Sequence, residues 1–479
     1  MSRTAPVLLI LIPLLTGQSE CGAPVAPEAI QPALTIRGGE ADSLAGRQVA
    51  VGDLNGDGQA DVVLSCPRED VGDAIDAGAV YVLYGPLDGD RALPDADARL
   101  TAPPSERSGS FSVAVAGDVN GDGTDDLLIG ARSVNAPEGA AYLFYGPVLG
   151  ERSMEEADVV FRGQPYQSEL GTSVSGAGDV DGDGFADVLI SNSRSTDASG
   201  ESAEGLAFLM YGPLEGAYEL PRDAHVIFEG AAPGVKVGGA GDVNGDGFDD
   251  VLLGAEFDGL GHQGLTYVFY GPLSAGAHAV ASADATLVGE HGGLFCDPPF
   301  CAPVGDEAGS SVASAGDVNL DGFDDVYVSA DSWPFGNNHG AVYLLLGPLS
   351  GEIDLARADV GFFADGGGTS FGVVARSADL NGDGLLDALV GANNYEDDTG
   401  ALVGSLYVFY GPLSGDYGPS DADLWLTGSE RLGAIGLSVA TLPDVDGDGV
   451  EELLLGAPVG SGEAPWPGAA YQIPSLSFR

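Results

Sequence analysis

The sequence predicts an all-β protein, a seven-bladed β-propeller whose blades are four-stranded antiparallel sheets. An acidic motif of the form D-x-[DN]-x-D-x-x-x-[DE] recurs seven times along the 479 residues. Each copy is accompanied by short apolar segments, which are too short and too rich in Val, Leu, Tyr and Phe to be helices. The last copy lacks its fourth segment, while a spare segment of that type precedes the first copy.

The amino-terminal residues have the pattern of an export signal. Arg3 gives a basic start, and the apolar run at 5–15 is too short to span a bilayer. We therefore predict a signal peptide over 1–20 and a short linker over 21–32, in a protein that is secreted, periplasmic or at the cell surface. Anchoring through a lipid on Cys21 stays open, although the preceding QSE lacks the Leu and small residue usual before a lipidated Cys.

The second repeat illustrates the predicted blade. Residues 112–116 (SVAVA) lead into the acidic motif, and residues 126–130 (DLLIG) leave it. Residues 140–145 (AAYLFY) follow, then a Gly-Pro turn, and residues 158–162 (DVVFR) end the repeat. One such meander buries too little apolar surface to be stable alone, so seven of them are expected to share a core in a propeller.

The two ends of the chain predict how the ring closes. The seventh repeat has three segments, and residues 33–38 supply a fourth from the other end of the chain. Such closure removes the open edges of the sheet. We therefore predict a propeller over 33–479, with 33–38 as the closing strand. The predicted blades are approximately 45–101, 109–163, 170–230, 235–289, 308–365, 371–428 and 434–474.

The acidic motif predicts calcium sites, up to seven in number. Positions one, three and five offer side-chain oxygens, position seven a carbonyl and position nine a carboxylate, and calcium prefers such hard oxygen ligands. A plain turn needs no carboxylate at position nine, which disfavours seven metal-free turns. The predicted ligands are Asp53, Asn55, Asp57, Gln59, Asp61; Asp118, Asn120, Asp122, Thr124, Asp126; Asp179, Asp181, Asp183, Phe185, Asp187; Asp242, Asn244, Asp246, Phe248, Asp250; Asp317, Asn319, Asp321, Phe323, Asp325; Asp379, Asn381, Asp383, Leu385, Asp387; and Asp444, Asp446, Asp448, Val450, Glu452.

Two of the seven motifs are less regular than the others. Leu320 replaces the usual Gly at position four of the fifth motif, and Glu452 replaces Asp at the end of the seventh. All seven sites were predicted as structural, because protein oxygens supply almost every ligand.

The charge of the chain limits the classes of partner that it can bind, and its cysteine content indicates the compartment in which it folds. With 73 acidic against 17 basic residues, the net charge is −56, which excludes the basic patch that nucleic-acid binding needs. Four cysteines fit an oxidising compartment. Cys296 and Cys301 bracket a short Pro-rich bend and are predicted to form a local disulfide. Cys21 and Cys66 either pair, or Cys21 is lipidated and Cys66 is buried and inert.

The connections between strands lie on two faces of a propeller. The motif face carries the seven acidic motifs and the Gly-Pro turns, whereas the variable face carries the second-to-third and fourth-to-first connections, which differ between repeats. Aromatic residues and histidines on the variable face would suit a sugar or a protein loop, and the alternative that these rings fill gaps between blades stays open. The candidate ligand-binding residues are Phe257, His262, Trp333, Phe335, His339, Tyr395 and Trp466.

The chain resembles the FG-GAP repeat family, the propeller of integrin α-subunit head regions, which many bacterial exported proteins resemble. The resemblance covers about residues 31–479 and rests on the acidic motif in all seven repeats. Phe371-Gly372 is the clear FG, and Gly456-Ala457-Pro458 is the full GAP. This resemblance implies a calcium-binding propeller of the cell-adhesion type.

We therefore predict a non-enzymatic recognition module at the cell surface, with a protein or glycan ligand and no membrane span. The sequence has no HExxH, GxSxG or GxxxxGK motif. One alternative is a carbohydrate-active enzyme such as a calcium-dependent polysaccharide lyase, for which Arg132, Arg194 and His339 are the candidate catalytic groups. The other is a purely structural surface protein. Ligand identity and oligomeric state stay open.

Overall fold

The computed structural model describes residues 27–475 except 41, 88, 104–110, 135–137, 165–166, 196–203, 298–299, 335–338, 365–368, 397–402, 429–433, 446 and 459–466. For residues 167–168, 194–195, 294–297 and 300–303 it describes the backbone alone. The predicted signal peptide over 1–20 lies outside the described residues, as does Cys21. Within them, the secondary structure is β-strands and short 3₁₀ turns, which confirms the all-β class.

The strands follow the periodicity of the sequence. They are β1 (Glu28–Ala29), β2 (Leu34–Arg37), β3 (Val49–Gly52), β4 (Asp61–Cys66), β5 (Ala79–Leu83), β6 (Arg91–Ala92), β7 (Ala98–Thr101), β8 (Phe111–Gly117), β9 (Asp126–Ala131), β10 (Ala140–Phe144), β11 (Gly150–Ser153), β12 (Val159–Gly163), β13 (Gln167–Gly178), β14 (Asp187–Ser195), β15 (Gly205–Met210), β16 (Gly216–Leu220), β17 (Val226–Ala231), β18 (Lys236–Gly241), β19 (Asp250–Ala255), β20 (Leu265–Phe269), β21 (Gly276–Ala279), β22 (Ala285–Val288), β23 (Gly292–Asp297), β24 (Phe300–Gly305), β25 (Ala308–Gly316), β26 (Asp325–Ala330), β27 (Ala341–Leu345), β28 (Gly351–Asp354), β29 (Val360–Phe363), β30 (Phe371–Ala378), β31 (Asp387–Ala392), β32 (Ser405–Phe409), β33 (Gly415–Tyr417), β34 (Leu424–Thr427), β35 (Val439–Leu442), β36 (Glu452–Ala457) and β37 (Ala469–Ile473). The 3₁₀ turns are Leu93–Asp95, Met154–Glu156, Val280–Ser282, Leu355–Arg357 and Pro419–Asp421.

All of these strands except β23 and β24 form seven five-stranded sheets, which confirms the seven-bladed propeller. Four strands of each sheet make the predicted antiparallel meander, and a fifth strand lies along its outer edge. From the inside outwards the sheets are β3-β4-β5-β7-β11, β8-β9-β10-β12-β16, β13-β14-β15-β17-β21, β18-β19-β20-β22-β28, β25-β26-β27-β29-β33, β30-β31-β32-β34-β1 and β35-β36-β37-β2-β6.

The fifth strand of each blade is an addition to the predicted four. In the first blade, β11 of the following repeat pairs in parallel with β7, with Gly150 opposite Ala98. This pairing covers backbone groups that an outer strand would otherwise leave open. In the sixth blade, β1 supplies the fifth strand, so the predicted linker over 21–32 contains a strand of its own.

The ring closes as predicted. The spare strand β2 pairs antiparallel with β37, placing Leu34 opposite Gln472 and Arg37 opposite Ala469. The seventh blade is therefore completed by a strand from the amino-terminal side of the propeller.

The apolar core lies between the blades rather than within one of them. Between the first two blades, Val63 and Val80 join Leu127, Ile129 and Phe111 in one buried cluster. The second strands β4, β9, β19, β26, β31 and β36 are buried along their whole length, because each has a strand on both sides and a neighbouring blade against both faces. The innermost strands line a central channel of about 750 Å³.

The 75-residue spacing after the fourth motif corresponds to an extra two-stranded hairpin, β23 and β24, on the variable face. Cys296 and Cys301 lie directly opposite each other in it. Their side chains lie outside the described atoms, so the disulfide stays a prediction. Among the described residues, no helix has the length and apolarity to cross a membrane.

Candidate metal centres and the variable face

Each acidic motif forms a tight loop organised by the carboxylate at position one. In the third loop, Asp179 Oδ1 accepts from the N–H groups of Gly182 at 2.7 Å and Asp183 at 3.0 Å. Asp179 Oδ2 accepts from the Gly184 N–H at 2.9 Å. Gly182 and Gly184 have φ values of 76° and 92°, which glycine adopts without steric cost. Oδ2 accepts a single N–H and thus keeps a lone pair for a cation.

The same three bonds recur in five of the other six loops, at donor–acceptor distances between 2.6 and 3.1 Å. In the fifth loop, Asp317 accepts from the N–H groups of Asp321 at 2.9 Å and Gly322 at 2.8 Å, but not from Leu320 at position four. The backbone therefore holds the first carboxylate of every loop in one orientation. The position-one residues are Asp53, Asp118, Asp179, Asp242, Asp317, Asp379 and Asp444.

The carboxylate at position nine connects the acidic loop to the Gly-Pro turn beside it. Asp187 is fully buried. Its Oδ2 accepts from Val180 N and its Oδ1 from Gly212 N, both at 2.9 Å. Equivalent pairs of bonds, between 2.8 and 3.0 Å, are made by Asp61, Asp126, Asp250, Asp325 and Asp387. Glu452 accepts from Val445 N at 2.9 Å.

Burial disfavours the ionised form of these carboxylates when no cation is bound. Desolvation raises the pKa of Asp187 to about 7, and its two N–H partners only partly oppose the shift. The nearby carboxylates of Asp181 and Asp179 raise that pKa further. Burial likewise raises the pKa of Asp126 and Asp250 to about 7. A divalent cation would offset exactly this concentration of negative charge.

The third loop is where three carboxylates converge. Oxygen atoms of Asp179, Asp181 and Asp187 all lie within 4.8 Å of one another. Asp183, the predicted ligand at position five, is not part of that cluster, and its Oδ1 accepts from Phe185 N at 3.0 Å. The donor set is oxygen alone, and its size and charge fit calcium. The residues present therefore fit the predicted ion.

Five other loops carry Asn at position three. In the second loop, Asn120 Nδ2 donates to Asp122 Oδ2 at 2.9 Å, and Asn319 makes the same bond to Asp321 in the fifth loop. The five loops therefore hold one carboxylate fewer than the third, and in the second and fifth loops the amide donates to one of the remaining carboxylates.

Neighbouring loops are joined to each other through position eight, which the sequence analysis did not identify. Asp179 N donates to Asp249 Oδ2 at 2.7 Å, and Asp249 N donates back to Asp179 O at 3.2 Å. A Cβ atom on Gly178 would lie 2.1 Å from Asp249 Oδ2, so glycine is needed there. Similar reciprocal bonds, which we call position-eight bridges, join Asp53 to Asp125, Asp242 to Asp324 and Asp379 to Glu451.

The side chains at position seven also link the loops. The ring of Phe185 lies against Gly121 of the preceding blade, and the ring of Phe248 lies against Gly182. These residues were predicted only for their carbonyl groups. A glycine at position four therefore provides both the turn and the space for a neighbouring ring.

The two irregular loops keep the common shape. Leu320, at position four of the fifth loop, adopts a φ of 59° and is 63% exposed. In the seventh loop, Asp444 accepts from Gly447, Asp448 and Gly449 in the usual way. Asp446 lies outside the described residues.

The predicted ligand-binding residues of the variable face divide into two groups. Phe257 is 38% exposed, and its ring centroid lies 5.3 Å from that of His262. Trp333 instead packs on Phe363 at 4.9 Å, and Tyr395 packs on Trp425 at 5.3 Å, as gap-filling rings do. His339 is half-buried. Phe335 and Trp466 lie outside the described residues.

A cluster of arginines on the variable face was not identified from the sequence as a group. Arg47, Arg68 and Arg132 are exposed and lie at the ends of strands in the first two blades. Although its side chain reaches solvent, the protein around Arg47 lowers the pKa of the guanidinium, and the charges of Arg132 and Arg68 lower it further. The three charges therefore interact. The Arg194 side chain lies outside the described atoms. Cys66 is a buried free thiol whose pKa is raised by burial.

Comparison with known proteins identifies the repeat. A family profile described as FG-GAP repeat matches residues 45–83, 111–144, 170–205, 236–269 and 308–345, within the first five blades. Integrin alpha-PS5 of Drosophila melanogaster is 35% identical over 172 residues, covering 35% of this chain and 16% of that protein. Integrin alpha-5 of Xenopus laevis is 39% identical over 161 residues, covering 33% of this chain and 14% of that protein.

The similarity extends further along the chain in one relative. Integrin alpha pat-2 of Caenorhabditis briggsae is 28% identical over 302 residues, covering 59% of this chain and 22% of that protein. The aligned part therefore spans less than a quarter of the length of each of these relatives. A solved structure titled as BBS1N in complex with ARL6DN aligns over 91% of this chain, with 10% identity and a TM-score of 0.45.

Proposed function

This chain is a seven-bladed β-propeller of FG-GAP repeats, similar to integrin α chains, and on that premise we propose that it is a calcium-stabilised, non-enzymatic recognition module of the adhesion type. Its ligand is a protein or glycan met at a cell surface, after export of the chain. The observation that carries the proposal is the loop geometry, because the repeats that resemble integrin α chains present carboxylates in one fixed orientation from blade to blade.

Calcium would be held by the side chains at positions one, three, five and nine and by the carbonyl at position seven. When bound, it supplies the positive charge that the converging carboxylates lack. The chain's own residues do the rest: backbone N–H groups orient the carboxylate at position one, and the position-nine carboxylate ties the loop to the Gly-Pro turn. The ion therefore fixes two connections of each blade at once.

We expect the calcium affinity of each site to increase with its number of carboxylates. The third loop has acidic residues at positions one, three, five and nine, which are Asp179, Asp181, Asp183 and Asp187. Loops with Asn at position three have one charge fewer, and calcium affinity follows ligand charge. We expect the third site to bind calcium most tightly among those whose positions are all described.

The ligand belongs on the variable face. The motif-face carboxylates already have partners within their own loops, whereas the variable face differs in every blade and exposes Phe257 and Leu260 beside His262. Leu260 is 76% exposed. Exposed apolar groups rimmed by polar residues are typical of binding surfaces.

Two measurements test this proposal. Calcium titration of the purified chain by calorimetry should show several sites, and Asp181→Asn should weaken the tightest of them. Binding of the chain to arrays of glycans and of extracellular proteins, in calcium and in chelator, should show calcium-dependent spots. Absence of calcium binding would overturn the metal assignment, and release of unsaturated sugars from acidic polysaccharides would overturn the non-enzymatic role.

A further inference from the structure

The central channel differs in charge from the rest of this strongly acidic protein. Its lining, about 750 Å³ in volume, consists of small and apolar residues, hydroxyl groups and two cationic side chains, Lys236 and Arg376. No Asp or Glu lines it in the described part of the chain, although the protein has 73 acidic residues. A cavity of this size is typical of small-molecule sites.

Arg376 has no carboxylate partner among the described residues. The side chain of Arg376 is exposed to water inside the channel. The protein that surrounds the channel desolvates the guanidinium and thereby lowers its pKa. Nη1 of Arg376 donates to the carbonyl of Ala375 at 2.9 Å. Some arginines elsewhere in the protein do pair with acids: Arg99 lies 2.8 Å from Glu69, and Arg222 lies 2.6 Å from Asp223.

The hydroxyl group of Thr441 faces Arg376 from the following blade. Arg376 stands opposite Leu389, and Thr441 of the seventh blade stands opposite Leu453. Leu389 and Leu453 belong to one buried cluster between the sixth and seventh blades, so Arg376 and Thr441 lie on facing sides of these two blades. Counted from the carboxylate at position nine, Thr441 is one residue nearer the motif face than Arg376, about 3.3 Å along the strands.

Lys236 lies farther along the channel, towards the variable face. It stands opposite Gly254, two residues beyond the level of Arg376, which corresponds to about 7 Å along the strands. Lys236 forms no ion pair within 4 Å in the described part of the chain. Burial raises the pKa of the nearby Glu256 and Asp331, and the charge of Lys236 partly opposes both shifts. Its charge is therefore partly balanced, and Arg376 is the stronger attraction for an anion.

We infer that the central channel is a binding site for a small organic dianion of the dicarboxylate class. One carboxylate pairs with the guanidinium of Arg376 and accepts from the hydroxyl of Thr441, and the other faces Lys236. A planar guanidinium binds a carboxylate through two parallel hydrogen bonds, which makes it more selective than an ammonium group. The net charge of the protein slows the approach of an anion, but surface charges are screened beyond about 8 Å in physiological salt.

The test uses the calcium-loaded chain at constant ionic strength and fixed free calcium. Isothermal titration with succinate, glutarate, adipate and acetate should show one saturable site that prefers a dicarboxylate over acetate. Arg376→Gln should weaken binding by about tenfold or more, since charge-assisted hydrogen bonds are lost. Lys236→Gln should have a smaller effect, and it should reduce the preference for dicarboxylates over acetate.

The matched control is Arg222→Gln, which removes the same charge from an exposed ion pair outside the channel. It should leave dicarboxylate affinity unchanged. The Thr441→Val variant provides a second route if Arg376→Gln does not fold, and it should also weaken binding. Calcium titration of every variant shows whether its metal loops still bind calcium, so that a loss of dicarboxylate binding can be assigned to the channel. Absence of saturable binding, or equal affinity in the Arg376 variant and the control, would overturn the inference.

Discussion

The motif face of the propeller has nearly the same structure in every blade, whereas the variable face differs from blade to blade. On the motif face, Asp179 and its six counterparts all accept from the N–H groups at positions five and six, and the loop shape survives even where Leu320 replaces glycine at position four. On the variable face, one blade exposes Phe257 while another packs the half-buried Trp333 against a neighbouring ring. A surface that repeats is constrained by the fold, whereas a surface that differs between blades can adapt to a ligand. Stability should therefore depend on the first face and recognition on the second.

Removing calcium is expected to have the largest effect. Calcium at tenfold above the dissociation constant adds about 1.4 kcal/mol per site, so seven independent sites would add about 10 kcal/mol. For a chain of this length, that corresponds to a fall in Tm of about 10 °C. Scanning calorimetry in calcium and in chelator measures it, with magnesium as the control ion. An unchanged Tm would contradict the assignment of stability to the motif face.

Asp187→Ala should cost the most among single substitutions on the motif face. It leaves the buried N–H groups of Val180 and Gly212 without their acceptor, at about 1–3 kcal/mol for each. Chemical denaturation in chelator isolates this loss from that of calcium. Asp73→Ala, an exposed acid of the variable face, is the matched control and should stay within about 0.5 kcal/mol. Equal effects would mean that the two faces do not differ.

Removing one position-eight bridge should have a moderate effect. Asp324→Ala deletes the acceptor of the Asp242 N–H at 2.9 Å, and the free energy of unfolding should fall by about 1 kcal/mol. The ring already tolerates Leu386 at the equivalent position of the sixth blade. Denaturation with Asp73→Ala as the control measures the change. No loss would show that the bridges follow from the fold and do not stabilise it.

Leu320→Gly should stabilise the protein slightly. A left-handed conformation costs a non-glycine residue about 1–2 kcal/mol, while glycine loses about 0.5–1 kcal/mol through its flexibility when unfolded. The net gain is about 0.5 kcal/mol. Leu260→Gly is the matched control, since Leu260 is also exposed but lies outside the left-handed region, and it should bring no gain. A loss at Leu320 would indicate that its side chain has a role of its own.

Leu260→Ser should leave stability within about 0.5 kcal/mol, because the side chain is exposed. Binding to the calcium-dependent spots of the glycan and protein arrays should nevertheless fall. Leu149→Ser is the control, since Leu149 is another exposed leucine, outside the variable face. If both variants bind equally, the ligand contacts another part of the molecule.

The periodic features of the fold could be predicted from the sequence, because the motif fixes where each blade begins. The closing pairing of β2 with β37 followed from counting strands. The fifth strands could not be predicted, since segments such as GERS in β11 are short and polar. They become strands because the outer edge of the neighbouring blade pairs with them, and that edge exists only after folding.

The chemistry of the sites was predictable to a similar extent. The acidic motif predicted four carboxylates at the third site, and three of these side chains converge. The position-eight bridges join residues about 70 positions apart, as Asp179 and Asp249 are. Arg376 and Lys236 are isolated charges in apolar strands. Their common surroundings appear only when the innermost strands come together around the channel.

The closing strand pair has a mechanical consequence. In the antiparallel pairing, Leu34 at the start of β2 lies opposite Gln472 near the end of β37. A pulling force applied through the flanking chain segments would therefore act at the same end of both strands and open their hydrogen bonds one after another.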